Sequence, residues 1–183
     1  MLEAAGISFA TVEAAFDEDR VKEELRSLGL AAAELAAVLA ERKALAVTSG
    51  ARVLVLGSDQ VLEQEDGSTL DKAESREELE RQLRSLRGRP HKLHSAAAVA
   101  ETGKVVWRGT ETVTLHMRSF SEAFLHDYVE REFDEVRWSV GGYHAEGPGV
   151  QLFDRIEGSH FAILGMPLLP LLGYLRERGL LQS

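Results

Sequence analysis

Residues 53–62 read Val-Leu-Val-Leu-Gly-Ser-Asp-Gln-Val-Leu, and this stretch decides the fold. The four aliphatic residues from Val53 to Leu56 predict a strand buried on both faces, which needs helices on either side of its sheet. The apolar run stops at Gly57, and Asp59 follows where we expect the strand to have ended. Ligands of open α/β sheets bind beyond the carboxyl ends of strands, so Asp59 could meet a ligand, a metal ion or an attacking water. The alternative is an Asp that caps the next turn.

Composition narrows the classes of protein that this sequence can represent. With 183 residues the chain suits one domain with a substantial core. It contains no cysteine, which excludes disulfides and zinc–thiolate sites and favours a reducing cytoplasm. No apolar stretch is long enough to span a bilayer, so we expect no membrane partner. The formal charge of −9 argues against binding to DNA or RNA, although a few local cations can still hold a small anionic ligand.

The pattern of apolar residues alternates between helical and strand periods, which predicts an α/β fold. A helix that closes at Gly6 opens the chain, and the glycine-rich residues 141–150 have the character of a binding loop. A turn is expected at residues 101–103 and an apolar stretch at 161–164. The predicted helices cover residues 21–28, 31–48, 75–86, 119–132 and 167–178, and the predicted strands cover 53–56, 91–100, 104–117 and 150–156.

Three carboxylates, Glu18, Asp59 and Glu146, stand in predicted loops or at the ends of elements. Mg²⁺ commonly takes one or two protein carboxylates together with the phosphates of a substrate. Lys43 and Lys72 could neutralise such phosphates. Glu18 and Lys43 are equally explained as solvated surface residues, whereas a glycine-rich loop offers no packing reason for a carboxylate at Glu146.

Other chemistries find less support in the sequence. The six histidines lack the spacing of a zinc motif; His144 and His160 either contact a ligand or cap turns. Ser58 is not in a nucleophile-elbow pattern, which removes support for a serine hydrolase. The glycines match neither the phosphate-loop nor the dinucleotide-binding spacing.

Taken together, five segments resemble successive motifs of the Maf family, in the family's order and across essentially the whole chain. These are Gly57-Ser58-Asp59-Gln60-Val61, Asp71-Lys72-Ala73, Leu86-Arg87-Gly88-Arg89-Pro90-His91, Gly142-Tyr143 with Glu146-Gly147-Pro148-Gly149, and Ile156-Glu157-Gly158-Ser159 with Leu164-Gly165-Met166-Pro167-Leu168.

The resemblance implies a nucleoside triphosphate pyrophosphatase that uses Mg²⁺ or Mn²⁺. Such enzymes cleave between the α- and β-phosphates and release a nucleoside monophosphate and pyrophosphate. The implied fold is a single Maf-like α/β domain over residues 1–183, with a mixed twisted sheet and two lobes around a nucleotide cleft. The implied partners are a small nucleotide and a second copy in a homodimer.

Family positions also imply roles for individual residues. Asp59 matches a catalytic carboxylate that binds metal or activates water, and Glu18 matches an acidic residue near the phosphates, so both are expected metal ligands. Lys43 and Lys72 match lysines that contact the phosphates.

Gln60 and Glu146 stand where a subgroup that prefers dTTP and UTP carries Thr and Gln. The pair found here resembles the subgroup that hydrolyses 7-methyl-GTP. A carboxylate suits that base, because it accepts hydrogen bonds from the N1–H and amino edge of guanine and favours the positive charge of the methylated ring.

The chain departs from the family pattern at its start. Family members open with a strand and a Ser-x-Ser-x-x-Arg loop that holds phosphates at a helix N-terminus. Residues 1–7 correspond to the interior of that first helix, so we expect sharply reduced activity of the chain as written. Two alternatives stay open: a non-catalytic nucleotide-binding or regulatory protein linked to septum formation, and an inert fragment that exposes a sheet edge.

Overall fold

The computed structural model describes residues 1–13, 17–47 and 53–182, except for the side chain of Asp19. Residues 14–16, 48–52 and 183 lie outside this description. Two predictions fall partly on them: the end of the second helix at residue 48 and the link from that helix into the first strand.

Helices and strands are interspersed along the described residues. The helices are α1 (Glu18–Ser27), α2 (Ala32–Ala46), α3 (Arg76–Leu86), α4 (Glu122–Val136), α5 (His160–Ile163) and α6 (Leu168–Glu177). The strands are β1 (Leu54–Glu63), β2 (Thr69–Leu70), β3 (Pro90–Glu101), β4 (Lys104–Met117) and β5 (Phe153–Glu157). Short 3-10 helices cover Glu3–Ala5 and Pro148–Leu152.

The strands form a sheet in the order β2-β1-β3-β4-β5. β2 pairs with β1 and β5 pairs with β4, both antiparallel. β3 and β4 are joined at the predicted turn, where Thr102 and Gly103 have φ of 49° and 74°. Two successive positive φ angles suit a tight two-residue hairpin turn, so the chain reverses there and β4 returns beside β3. The predicted α/β fold with a helix-flanked sheet is confirmed.

The chain divides into two compact units, the first of Met1–Gln60, Ser95–Glu111 and Ser159–Ser183, and the second of Val61–His94 and Thr112–Gly158. The assignment of residues 1–183 to one domain stays a prediction.

In the first unit, α2 lies directly on β1 at Gly57. A Cβ atom at this glycine would lie 2.5 Å from the amide nitrogen of Ala44 and closer still to the carbonyl oxygen of Ala40. The facing side of α2 is made of small and apolar residues, and Leu39, Ala40 and Ala44 are fully buried. The missing side chain of Gly57 therefore allows helix and strand backbones to approach each other.

On another side of the first unit, α6 packs its buried residues Leu171 and Tyr174 against Val99 of β3. Leu54 and Leu56 of β1 lie against this cluster and are half-buried. They also line a cavity of about 470 Å³, most of whose other lining residues are leucines and residues of the N-terminal segment.

The second unit is built on α3 and α4, which pack against each other. The helical spacing of Leu79, Leu83 and Leu86 in the sequence predicts that they share one buried face of α3, and the structure confirms it, since all three are buried. The sequence of β4 alternates apolar Val113, Leu115 and Met117 with polar residues, which predicts one buried face, and the structure confirms it: these three are buried and the residues between them are not.

The prediction for the end of β1 is wrong. The strand does not stop at Gly57 but continues to Glu63, so Asp59 lies in the middle of a strand and neither follows it nor caps a turn. The glycine breaks the apolar run because α2 needs the space, not because the chain turns there. The prediction that residues 54–56 are buried on both faces of the sheet is also wrong, since all three are half-buried.

Two smaller boundaries also differ from the sequence prediction, and one apolar stretch without a predicted element proves to be helical. Asp17 accepts a hydrogen bond from the amide of Arg20, so α1 begins at Glu18 and not at residue 21. Residues 150–152 belong to a 3-10 helix that begins with Pro148, and the strand starts only at Phe153. The apolar stretch 161–164 lies largely in the short helix α5.

Candidate active site

Asp59 is a buried carboxylate on the face of β1 that meets α2. Only 7% of the residue is exposed. Its Oδ1 accepts a hydrogen bond of 2.5 Å from Nζ of Lys43, which lies near the C-terminal end of α2. Its Oδ2 is buried and has no hydrogen-bond partner among the described residues. Gly57, two residues earlier on the same face, permits the close approach of α2 that brings Lys43 to Asp59.

Lys43 also connects Asp59 to α1. Its Nζ lies 3.0 Å from Oε2 of Glu18, the first residue of α1. The other oxygen of Glu18 lies 2.7 Å from Nζ of Lys22. These four residues, Lys22, Glu18, Lys43 and Asp59, form the charged cluster of the first unit. The structure therefore brings together three of the predicted site residues, Glu18, Lys43 and Asp59.

Burial and charge pairing have opposite effects on the pKa values of the cluster. Burial raises the pKa of Asp59, and the attraction of Lys43 opposes that rise. Burial would also raise the pKa of Glu18, but hydrogen bonds and charges from Lys22 and Lys43 outweigh it and lower that pKa to about 2. Burial would lower the pKa of Lys43, yet Asp59 and Glu18 raise it, so its ammonium stays charged.

The donor set of the cluster fits a hard divalent cation. The ammonium of Lys43 touches a carboxylate oxygen of both Glu18 and Asp59, which shows that these two side chains converge on one cation. Oδ2 of Asp59 is a buried oxygen without a partner in the described part of the chain. No group of three or more potential metal-binding side chains occurs among the described residues, but Mg²⁺ needs only one or two carboxylates beside substrate phosphates.

Gln60 belongs to the first unit but turns away from the charged cluster. Its side-chain Nε2 donates to the hydroxyl of Ser95 at 2.8 Å and to the carbonyl oxygens of Ala162 and Ile163 at 2.9 and 3.1 Å. Because neighbouring residues of a strand point to opposite faces, Asp59 meets α2 whereas Gln60 meets α5. Its amide nitrogen therefore fastens α5 to β1.

Lys72 and Glu146, the two remaining predicted site residues, belong to the second unit and are exposed. Lys72 lies between β2 and α3, and Glu146 lies in a turn that precedes the second 3-10 helix. The structure therefore does not place them in the charged cluster.

The glycine-rich loop that carries Glu146 is anchored at its start. The hydroxyl of Tyr128 donates to the carbonyl of Gly142 at 3.0 Å, and the buried Tyr143 shares a hydrogen bond of 2.7 Å with Nε2 of His91. Gly142 has φ of 66°, and a Cβ atom there would overlap Leu79. His144 of the loop contacts Ser139, which precedes the loop, at 2.9 Å.

Lys22 is the member of the cluster that the sequence reading missed. The usable signal was its position four residues after Glu18, which places both side chains on one face of a helix. That signal depended on the start of α1, which was predicted three residues too late.

A sheet flanked by helices, with a buried acid on its first strand paired to a lysine of a neighbouring helix, defines an α/β protein with a charged cluster. The chain matches the family described as Maf-like protein over residues 1–178. It belongs to the Maf family.

Three similar proteins share the name nucleoside triphosphate pyrophosphatase. The chain is 46% identical over 181 residues to a nucleoside triphosphate pyrophosphatase of Sphingopyxis alaskensis, covering 98% of this chain and 91% of that protein. It is 49% identical over 178 residues to one of Granulibacter bethesdensis, covering 97% and 90%. With one of Caulobacter vibrioides it shares 45% identity over 181 residues, covering 99% and 90%.

Within the described ranges, no helix is both long enough and apolar enough to cross a bilayer.

Proposed function

We propose that this protein is a nucleoside triphosphate pyrophosphatase, which hydrolyses the bond between the α- and β-phosphates. The observation that carries the proposal is Asp59, a buried carboxylate with one oxygen on Lys43 and the other without a partner in the described residues. The relatives' shared name supports the same reaction. A buried acid held this way can orient a water molecule or a cation beside a phosphate.

Each member of the cluster has a task in this reaction. Glu18 and Asp59 would hold a Mg²⁺ or Mn²⁺ ion, which supplies charge neutralisation and a more acidic bound water. Oδ2 of Asp59 accepts the proton of the attacking water or orients it. Lys43 neutralises charge on the phosphates, and the exposed Lys72 of the second unit is proposed to do the same.

The test is release of pyrophosphate from a panel of nucleoside triphosphates, with and without Mg²⁺ or Mn²⁺. Asp59→Asn keeps the shape of the side chain and removes its charge, so we expect activity to fall by roughly 10²-fold or more. Asp127→Asn, an exposed acid on α4, is the matched control. Activity that Asp59→Asn leaves unchanged would remove this residue from the mechanism. Nucleotide binding without turnover would support the regulatory alternative.

The finer proposal is that the preferred nucleotide is 7-methylated on guanine. It is supported by a carboxylate at Glu146, which is exposed in the loop and suits a positively charged base. We expect 7-methyl-GTP to be hydrolysed with a higher kcat/KM than GTP, dTTP or UTP. Glu146→Gln should lower the ratio of kcat/KM for 7-methyl-GTP to kcat/KM for UTP by about tenfold, which corresponds to the loss of one charge-assisted hydrogen bond. A ratio that does not change would refute the assignment.

A further inference from the structure

Lys22 has a place in the charged cluster that the proposed reaction does not yet use. Its Nζ lies 2.7 Å from Oε1 of Glu18, and only 15% of its side chain is exposed. Neighbouring residues on the same helix, including Arg20, Glu23 and Glu24, are exposed. Lys22 therefore faces inward, as Glu18 does, whereas Arg20, Glu23 and Glu24 of the same helix face solvent.

The contact is more than an ordinary pair within one helix. An exposed pair four residues apart contributes only about 0.3–0.5 kcal/mol and is readily broken by solvent. Here the same carboxylate is shared between two helices, since its other oxygen lies 3.0 Å from Lys43 of α2. Each oxygen of Glu18 thus has its own ammonium group.

The charges of the cluster balance only when Lys22 is counted. Glu18 and Asp59 carry two negative charges, and Lys43 and Lys22 carry two positive charges. Without Lys22 the cluster would be negative by one, which opposes an anionic ligand and favours a cation.

Lys22 also limits the number of N–H groups of Lys43 that hydrogen-bond to Glu18. A lysine ammonium has three N–H donors, and Lys43 has contacts to Asp59 and Glu18 in this structure. With Lys22 on Oε1, Glu18 presents one oxygen to Lys43, which leaves the third N–H for a phosphate. Without Lys22 both oxygens of Glu18 would compete for Lys43.

We propose that Lys22 is a positioning residue that neutralises and orients Glu18, so that Lys43 can bind a phosphate group of the substrate. The proposal rests on the proposed function for its link to turnover, but not for its effects on the binding of a cation and of pyrophosphate. Its signature is a pair of opposite changes: loss of Lys22 weakens binding of phosphate and strengthens binding of a divalent cation. A general loss of structure would weaken both.

The experiment compares the full chain with Lys22→Met, Lys22→Arg and the control Arg20→Met, which removes an exposed charge from the same helix. Mn²⁺ affinity is measured by electron paramagnetic resonance, pyrophosphate affinity by calorimetry, and KM and kcat by pyrophosphate release. For Lys22→Met we expect Mn²⁺ to bind about threefold to tenfold more tightly and pyrophosphate about tenfold more weakly, with KM raised more than kcat is lowered. Lys22→Arg should restore all three values, and Arg20→Met should leave them within about twofold.

Every other pattern overturns the proposal. Unchanged Mn²⁺ and pyrophosphate affinities in Lys22→Met would make the contact an ordinary helical pair, and weaker binding of both would indicate structural damage, which a lowered melting temperature would confirm. A chain that hydrolyses no nucleotide would refute the proposed function, yet the two binding measurements would still decide the role of Lys22.

Discussion

The charged cluster of the first unit and the His91–Tyr143 pair of the second unit bury polar groups in different ways. Asp59 faces the ammonium of Lys43, whereas His91 faces the neutral phenol of Tyr143. Each acidic or basic group leaves one atom, Oδ2 of Asp59 and Nδ1 of His91, without a hydrogen-bond partner in the described residues. The first arrangement keeps charge in the interior, and the second avoids it.

The pKa of His91 shows how the second unit avoids charge. Burial lowers that pKa to about 4, so the ring is neutral near pH 7. Burial also raises the pKa of Tyr143 far above its usual value. A neutral pair of this kind serves packing and anchors the glycine-rich loop. A charged group with a spare oxygen is costly for stability and is therefore the better candidate for function.

Removal of Lys43 should have the largest effect, because it leaves the buried charge of Asp59 without its close cation. We expect Lys43→Met to lower the free energy of unfolding by roughly 3 kcal/mol at pH 7. The loss should shrink as the pH falls, because a protonated Asp59 no longer needs the cation. Denaturant unfolding at several pH values measures both effects.

The matched variants for this test are Lys104→Met, an exposed lysine, and the double variant Asp59→Asn/Lys43→Met. The first should change stability by less than about 0.5 kcal/mol. The second should recover much of the loss, since an uncharged amide is cheaper to bury. A double variant as unstable as Lys43→Met alone would contradict the charge argument.

Titration of His91 should have the next largest effect. An unfolded histidine takes up its proton near pH 6.5, but the folded protein does so only near pH 4. The contribution of neutral His91 to stability is therefore complete above pH 6.5 and is lost as the pH falls toward 4. The loss amounts to roughly 3 kcal/mol. Unfolding of His91→Gln over the same range should lack this component; an identical pH dependence in both proteins would refute it.

Smaller changes in stability are expected for Tyr143→Phe and Asp59→Asn, and they distinguish a structural residue from a functional one. Tyr143→Phe removes the hydroxyl that His91 contacts but keeps the ring on Phe153, so we expect a loss of about 1–2 kcal/mol in unfolding free energy. Asp59→Asn should change stability by less than about 1 kcal/mol, since it exchanges a costly buried charge for an amide. Thermal unfolding and pyrophosphate release are measured for both variants. If Asp59→Asn were the less stable of the two, the contrast between the functional cluster and the structural His91–Tyr143 pair would be refuted.

Periodic features of the sequence predicted much of the fold. The spacing of Leu79, Leu83 and Leu86 identified the buried face of α3, and the alternation in β4 identified its buried face. Ser75 accepts the amide of Glu78 as its position before a helix predicts. The sequence Ser75-x-x-Glu78 also predicts a capping box, in which Glu78 accepts from the amide of Ser75, but Glu78 accepts instead from the amide of Glu74, one residue before the cap.

The course of β1 could not be predicted, because Gly57 looks the same in sequence whether it turns the chain or admits a helix. The pairing of Glu18 with Lys43 depends on how α1 and α2 pack, and no local pattern encodes that contact. The roles expected for Lys72, Glu146 and Gln60 and the identity of the nucleotide stay predictions.

The contacts of Gln60 restrict the further hydrogen bonds that its side chain can form. Two carbonyl oxygens and a hydroxyl already accept the hydrogens of its amide nitrogen. These contacts fix the rotation of the amide group and leave Oε1 as the atom that can accept a further hydrogen bond. A molecule recognised there must therefore offer a hydrogen and not a lone pair. The N1–H and amino groups of a guanine meet that condition. Glu in place of Gln60 would set an anionic oxygen against the carbonyls of Ala162 and Ile163, so this position tolerates an amide where the isosteric acid would be repelled.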